Sequence, residues 1–385
     1  MPFPPPAPDT CRVLFADSER NADMLYASGV IVPDPFIWLQ SDAQTLVIVS
    51  PMEANRVRRS AREGTVVITR REAKERCGMD PKSRPSTARL IGHLVQQIGC
   101  CRCRVPRDLP LYVADDLRSQ GLDLQVDDPF FPQRATKSRA EIEAVREGVQ
   151  LAEAGLRQAL TILGHADILE DGCLSFPGDA GSPLTAEILQ GEINAEIARR
   201  GGAAAHTITA CGVQGADPHL PGTGPLCAGE PIVIDIFPRV NRTGYHGDLT
   251  RTVVKGSASS TVRDAFEAVR NAQTAALAAA GPGVPLRNVH NAAAQTIHSA
   301  GFPPDLNSSP PRGFIHGTGH GLGLEVHEAP RVSDTDGALE PGNVVTIEPG
   351  IYQPEWGGIR LEDVIAITQD GIENLTAADI TLEIP

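Results

Sequence analysis

The sequence predicts an α/β protein in two parts, a small N-terminal α/β domain over residues 1–136 and a larger α+β domain over residues 137–385. Three observations predict this. Short apolar and β-branched runs alternate with helical patterns through the first part. A proline-containing stretch, Phe130 to Ala135, then gives way to the strongly helical KSRAEIEAVREGVQLAEAGLRQALTIL. Beyond it, two blocks of the same construction, each an apolar strand that stops on an acid and a turn that returns to a second acid, read as an internal pseudo-repeat of two facing halves.

The chain opens with a Pro-rich tail to Asp9, expected to be disordered. Ser18 reads as the N-cap of a short helix that Gly29 stops. Strands are expected at Pro35–Leu39, Leu46–Ser50, Thr65–Thr69, Leu111–Ala114 and Leu122–Val126, with a basic helix at Met52–Glu63 and another around Ser86–Gln97. In the second part, a Gly/Pro loop (Gly172 to Ser182) precedes a helix at Thr185–Arg199, and His206–Gly215 reads as a strand with an irregular end. Helices at Ser260–Ala280 and Leu286–Ala300 separate the first carboxylate block from a histidine-rich stretch and the second block.

Those blocks carry the chemistry. In GEPIVIDIFPRVNRTGYHGDLTRTVVKG, Ile232-Val233-Ile234 ends on Asp235 and Asp248 leads the return strand; in PGNVVTIEPGIYQPEWGGIRLEDVIAIT, Val344 to Ile347 ends on Glu348 and Glu362 leads back. The acids lie 13 and 14 residues apart, a similar reach for two hairpins that could each set two carboxylates side by side. Four converging carboxylates repel and resist burial, so they call for cations. GFIHGTGHGLGLEVHEAP adds His316, His320 and His327. A mixture of carboxylate and imidazole excludes a thiolate zinc site and suits Mn, Co, Zn or Fe better than Mg. Two such ions sharing a water make a hydrolytic nucleophile at neutral pH.

The order Asp235, Asp248, His320, Glu348, Glu362, inside the strings IDIF, GDLTRT, HGTGHGLGLEVHE, TIEPGIY and GIRLEDV, resembles the peptidase family of prolidase, aminopeptidase P, methionine aminopeptidase and creatinase. The resemblance covers roughly residues 137 to 385; the N-terminal part resembles the creatinase/prolidase N-terminal domain more loosely. It implies a pita-bread catalytic domain with pseudo-twofold symmetry and a site for two divalent ions, Mn, Zn or Co. By resemblance, Asp235 chelates one ion, Asp248 and Glu362 bridge both, and His320 and Glu348 ligate the other. A metal-bridging hydroxide would attack the scissile carbonyl, with Glu348 shuttling its proton and His327 stabilising the developing oxyanion. His219 and His316 match substrate-pocket histidines, and Tyr352 and Arg360 match positions that hydrogen-bond near the bridging ligands. His246 is expected to be exposed, and His93, His165, His206, His290 and His298 to be structural. Two departures stand out: the first hairpin is two residues longer than the family's commonest form, so its Pro238–Thr243 loop should protrude differently, and the stretch before His219 is unlike the well-known members.

Within the family, methionine aminopeptidases lack a preceding domain of this size, whereas prolidases and aminopeptidases P have one that narrows the site, often across a homodimer. Proline after the scissile bond removes an N–H and fixes φ, so a pocket shaped for an imide rejects ordinary peptides. The expected function is therefore an Xaa-Pro dipeptidase acting on small peptides with proline at the second position. Aminopeptidase P activity on longer peptides is the alternative, followed by a metal-dependent lyase or a non-catalytic binding module on the same scaffold.

Composition agrees. With 41% hydrophobic residues and no apolar run long enough for a bilayer, the chain reads as globular and cytoplasmic, with no membrane partner. The net charge of −14 argues against nucleic acid. Residues 1–136 carry 18 Lys and Arg against 17 Asp and Glu, so the acid excess belongs to the half with the expected metal site. The eight cysteines, with Cys100, Cys101 and Cys103 clustered, read as reduced thiols rather than a disulfide framework or a metal site.

Overall fold

The computed structural model describes residues 3–385. The chain forms two compact units, Met1–Pro132 and Gln133–Pro385, a boundary four residues ahead of the one expected at 136/137.

The first unit is built on a six-stranded mixed sheet of β1 (Thr10–Ala16), β2 (Phe36–Gln40), β3 (Thr45–Val49), β4 (Thr65–Thr69), β5 (Arg102–Pro106) and β6 (Asp123–Asp127), ordered β4-β3-β2-β1-β5-β6. Its helices are α1 (Ala22–Ser28), α2 (Pro51–Ser60), α3 (Arg70–Arg76), α4 (Thr87–Gln97) and α5 (Leu111–Ser119). Two apolar cores, one around Ile37, Leu39, Ile91 and Leu117 and one around Trp38, Val57 and Phe131, draw on alternate residues of β2, as a sheet covered on both faces requires. Three expectations need correction. Leu111–Ala114 opens a helix, because Val113, Ala114 and Leu117 recur at helical spacing and bury one face. The N-cap of α1 is Asn21, whose side chain accepts from Met24 N; Ser18 is buried instead, donating to Val30 O and accepting from Val32 N. The Pro-rich segment is anchored from Phe3 onward, its ring packed against Tyr26, Trp38 and Phe131; Met1 and Pro2 lie outside the described residues.

The second unit begins with α6 (Arg139–His165), opened by a capping box in which Ser138 and Glu141 satisfy each other's backbone N–H groups. In chain order follow β7 (Ser175–Phe176), β8 (Asp179–Pro183), α7 (Ala186–Arg199), β9 (Gly202–Ala203), β10 (Ile208–Cys211), β11 (Pro231–Asp235), β12 (Arg239–Val240), β13 (Thr250–Lys255), α8 (Ser260–Ala279) and α9 (Leu286–Ser299). The chain ends with β14 (Gly319–Gly321), β15 (Glu328–Val332), β16 (Val344–Ile347), β17 (Gly350–Gln353), β18 (Gly357–Arg360), β19 (Asp363–Ile367), β20 (Ile372–Asn374) and β21 (Glu383–Ile384). Two main sheets result, β10-β11-β13-β21 and β15-β14-β16-β19-β20. α6 and α7 bury one against a core shared with Ile232, Ile234 and Leu249; α8 and α9 bury the other against Val345, Ile347 and Ile365. Each half is thus a hairpin backed by two helices. The Pro238–Thr243 loop does not stand away from this body, since β12 pairs with β9 and Gly247 lies against the backbone of Gly148.

Between β14 and β16 there is no room for a side chain at Gly319, where a Cβ would overlap the Thr346 carbonyl. Gly319→Ala should force the strand bearing His320 away from its neighbour, costing about 1–3 kcal/mol by overpacking. Chemical denaturation read beside metal content should show both losses; a variant with unchanged midpoint and occupancy would refute the tight fit.

Candidate metal centre

Strand register explains how distant acids meet. Asp235 ends β11 opposite Thr250 of β13, and Asp248 precedes Thr250 by two residues. In the other half Ile347 faces Asp363, so Glu348 and Glu362, one step beyond, come opposite each other. β14 lies on the far side of β16 and brings His320 to the same place. All five line one cavity of about 650 Å³, together with His219, His316, His327 and Arg360. Tyr352 lies fully buried behind this wall.

The donor atoms suit a cation. Asp248, His320 and Glu362 offer ligand atoms within 4.8 Å of one another. His320 Nε2 is 3.3 Å from Glu348 Oε1 and 3.8 Å from Asp248 Oδ2. Its Nδ1 lies 3.2 Å from the Gly321 carbonyl, which places the proton on Nδ1 and leaves the Nε2 lone pair facing the acids. Burial, with the charge of His327 next, lowers the His320 pKa to about 3, so the ring is neutral. Asp235 Oδ2 accepts from Arg360 Nη2 at 2.6 Å, while Oδ1 is buried without a hydrogen-bond partner. Orphaned buried acceptors are rare, and this one is explained by an ion.

Electrostatics point the same way. Burial, then the charges of Glu362, Asp235 and Glu348, pushes the Asp248 carboxyl well above the usual range. Glu362 rises for the same kind of reason, burial first and then Glu348 and Asp235. Glu348 is pushed up to about 7, with burial outweighing the opposing pull of Arg360. Only positive charge among the acids would return them to full ionisation, and the donor set, oxygens plus one imidazole, fits divalent cations.

A second layer fixes these groups. Thr250 Oγ1 donates to Glu362 Oε2 at 2.8 Å and accepts from Arg360 Nε at 3.1 Å, so one hydroxyl ties the two halves together. Arg360 Nη1 donates to the Tyr352 hydroxyl at 3.0 Å, which in turn reaches His316 Nε2 at 2.9 Å. The other His316 nitrogen lies 2.7 Å from Gly317 O, so the ring is locked. Burial and Arg360 lower its pKa to about 4. His327 is exposed and meets the His320 ring edge-on, with centroids 4.4 Å apart. His219 sits in an exposed turn fixed by Asp217, whose carboxylate accepts from His219 N at 2.9 Å.

Some residues differ from expectation. His206, expected to be structural, lines the cavity with φ of 68°, the left-handed region. His246, expected to be exposed, is half-buried, and desolvation lowers its pKa to about 4. Thr250, Ser333 and Arg331 escaped the sequence reading. Arg331 lies opposite His320 across the β14/β15 pairing, a neighbour visible only once the register is known. Among the described residues, the Cys100-Cys101-Cys103 cluster joins no metal-binding group.

A buried carboxylate and histidine centre between two facing hairpins is the construction of a metallopeptidase. The profile of metallopeptidase family M24 matches residues 143–369, and the chain belongs to that family. An Xaa-Pro dipeptidase of Pyrococcus furiosus is 33% identical over 267 residues, which are 66% of this chain and 67% of that protein. An Xaa-Pro dipeptidase structure from Bacillus anthracis superposes with a TM-score of 0.80 at 22% identity, covering 97% of this chain and 95% of that one. An X-Pro aminopeptidase structure from Thermotoga maritima gives 0.79 at 22% identity, covering 98% and 97%. The fold is the pita-bread fold of these enzymes, and the family uses divalent metal.

The raised carboxyls set a pH dependence. An unfolded glutamate has a pKa near 4.5 and folded Glu348 about 7, so this group favours folding at low pH and withdraws that support as pH rises through about 7. Asp248 and Glu362 act in the same direction. The metal-free protein should therefore melt at lower temperature as pH rises from about 5 to about 8, and the gain on adding Mn²⁺ should grow over that window. Thermal melts with and without metal test this; a gain that shrinks with pH would overturn the assignment.

Proposed function

We propose that this chain is a metal-dependent Xaa-Pro dipeptidase that holds two divalent ions, Mn, Zn or Co. The observation that carries the reading is the convergence of Asp248, His320 and Glu362 with Glu348 and Asp235 in one cavity. The ligands are proposed as Asp235 for one ion, Asp248 and Glu362 for both, and His320 and Glu348 for the other. When bound, such ions lower the pKa of a coordinated water and polarise a carbonyl.

The chain's own groups supply the rest. Glu348, whose carboxyl reaches His320 and the Thr346 hydroxyl, is proposed to take a proton from the attacking water and pass it to the leaving nitrogen. His327 is proposed to donate to the oxygen on which negative charge develops, and His219 to line the substrate pocket. His316, held by Tyr352 and Gly317, forms a rigid neutral wall for the residue after the scissile bond, while Arg360 keeps Asp235 and Tyr352 in place. The names of the relatives support proline at that position. A homodimer working in the cytoplasm is part of the proposal; among the described residues no helix is long and apolar enough to cross a membrane.

Metal-replete protein should cleave Ala-Pro and Gly-Pro and leave Ala-Pro-Ala intact. Equal cleavage of the tripeptide would select aminopeptidase P, and no cleavage of any would remove the peptidase reading. Glu362→Ala should lose an ion and nearly all turnover with the fold retained by circular dichroism; wild-type rates at two bound ions would refute its bridging role. Glu348→Gln should lower kcat by roughly 10²–10⁴. His316→Ala should keep its metal and turn over more slowly, and metal loss there would mean that the wrong histidine is named as ligand.

A further inference from the structure

Outside the metal centre, three cysteines that the reaction does not use come together where the segment after α6 meets the connection into β11. Cys173 and Cys227 face each other across an isolated antiparallel bridge. The flanking backbone bonds run from Leu174 N to Leu226 O (2.8 Å) and from Ala228 N to Gly172 O (2.9 Å). Cys173 and Cys227 exchange no backbone bonds with each other, so they form the close, non-hydrogen-bonded kind of pair, for which Cα atoms lie about 4.5 Å apart. That spacing falls within the range a disulfide spans, about 4.4–6.8 Å. Both residues are partly exposed, within reach of a small reagent.

The other thiols contrast with this pair. Cys211 is buried behind it and accepts from Cys227 N through Sγ at 3.3 Å. Cys11 and Cys103 are register partners in the first unit, but both are fully buried, out of reach of a reagent.

We propose that Cys173 and Cys227 form a reversible disulfide site, closed by exchange with a low-molecular-weight disulfide. One cysteine loses its proton and its sulfur attacks the small disulfide, breaking that S–S bond and releasing one small thiol. The second cysteine sulfur then attacks the mixed disulfide and releases the other. Two electrons pass from the cysteine pair to the reagent, and the two thiol protons end on the two small thiols. Burial first, then the neighbouring Cys227, raises the Cys173 pKa to about 11, so its thiolate is scarce near neutral pH and closure speeds up as pH rises. The bridge would fasten the Gly172–Ser175 turn to the segment entering β11 and close residues 173–227 into a covalent loop, which restricts the unfolded chain. The cavity is lined by other residues, so turnover should be unaffected.

The test uses the full-length, metal-loaded protein with oxidised glutathione at about pH 8. Peptide mapping without reductant should find Cys173 joined to Cys227, with the apparent melting temperature raised by several degrees and restored by dithiothreitol. Peptidase activity should stay within about twofold of the reduced enzyme, since no ligand is involved. Cys173→Ser and Cys227→Ser should each abolish the cross-link and the thermal shift, and Cys211→Ser should retain both. A Cys211–Cys227 linkage, glutathione held on either cysteine without closure, or wild-type thiols that do not react would each overturn the proposal.

Discussion

Everything in the larger unit answers to one electrostatic problem, the burial of four carboxylates within one cavity. Asp248 and Glu362 are almost wholly sequestered, at 3% and 2% exposure. Charges so placed lose their hydration and repel one another, and no packing of β-strands removes that cost. The protein answers it in part with Arg360, itself 4% exposed, which reaches Asp235, Thr250 and Tyr352 at once. The rest is left for ions. Strain held at a site by a surrounding scaffold is the ordinary signature of function, and here the scaffold is two helix-backed hairpins.

The hairpins are held together by more than the carboxylates and histidine of the cavity. Arg251, 2% exposed, donates to the carbonyls of Thr250, Glu362 and Ala378 and pairs with Asp363 at 2.8 Å. Thr252 Oγ1 receives Arg360 N and donates to Arg360 O. The segment Thr250-Arg251-Thr252 is thus a clasp between β13 and the stretch from Arg360 at the end of β18 to Asp363 at the start of β19. Its alternating residues serve both sides, threonine hydroxyls toward the site and the arginine toward the body, as the period of a strand dictates.

The loop carrying His327 is fixed by a separate buried ion cluster. Glu328 pairs with Arg134 at 2.7 Å and with Lys137, whose side chain is 2% exposed. Burial lowers the Lys137 pKa, while Glu328 next to it works the other way.

The sequence by itself determined the main helices and the acid-bearing strands of the second unit and the candidate ligands they carry, because apolar strands that end on acids, and histidines spaced by glycine, leave few other arrangements; the short strands β7 and β8 at the expected Gly172–Ser182 loop were not legible. α8 and α9 run as their apolar periodicity predicts. It could not decide Leu111–Ala114, where four residues are too few to separate a strand from the first turn of a helix, nor the α1 cap, where Ser18 and Asn21 are equally good local candidates. Contacts made across strands were equally hidden: Thr250 touching Glu362, Arg331 beside His320, His206 turned into the cavity wall by a positive φ. Register and long-range closure place these residues, and a chain read in one dimension carries the propensity for each strand but not the partner it will meet.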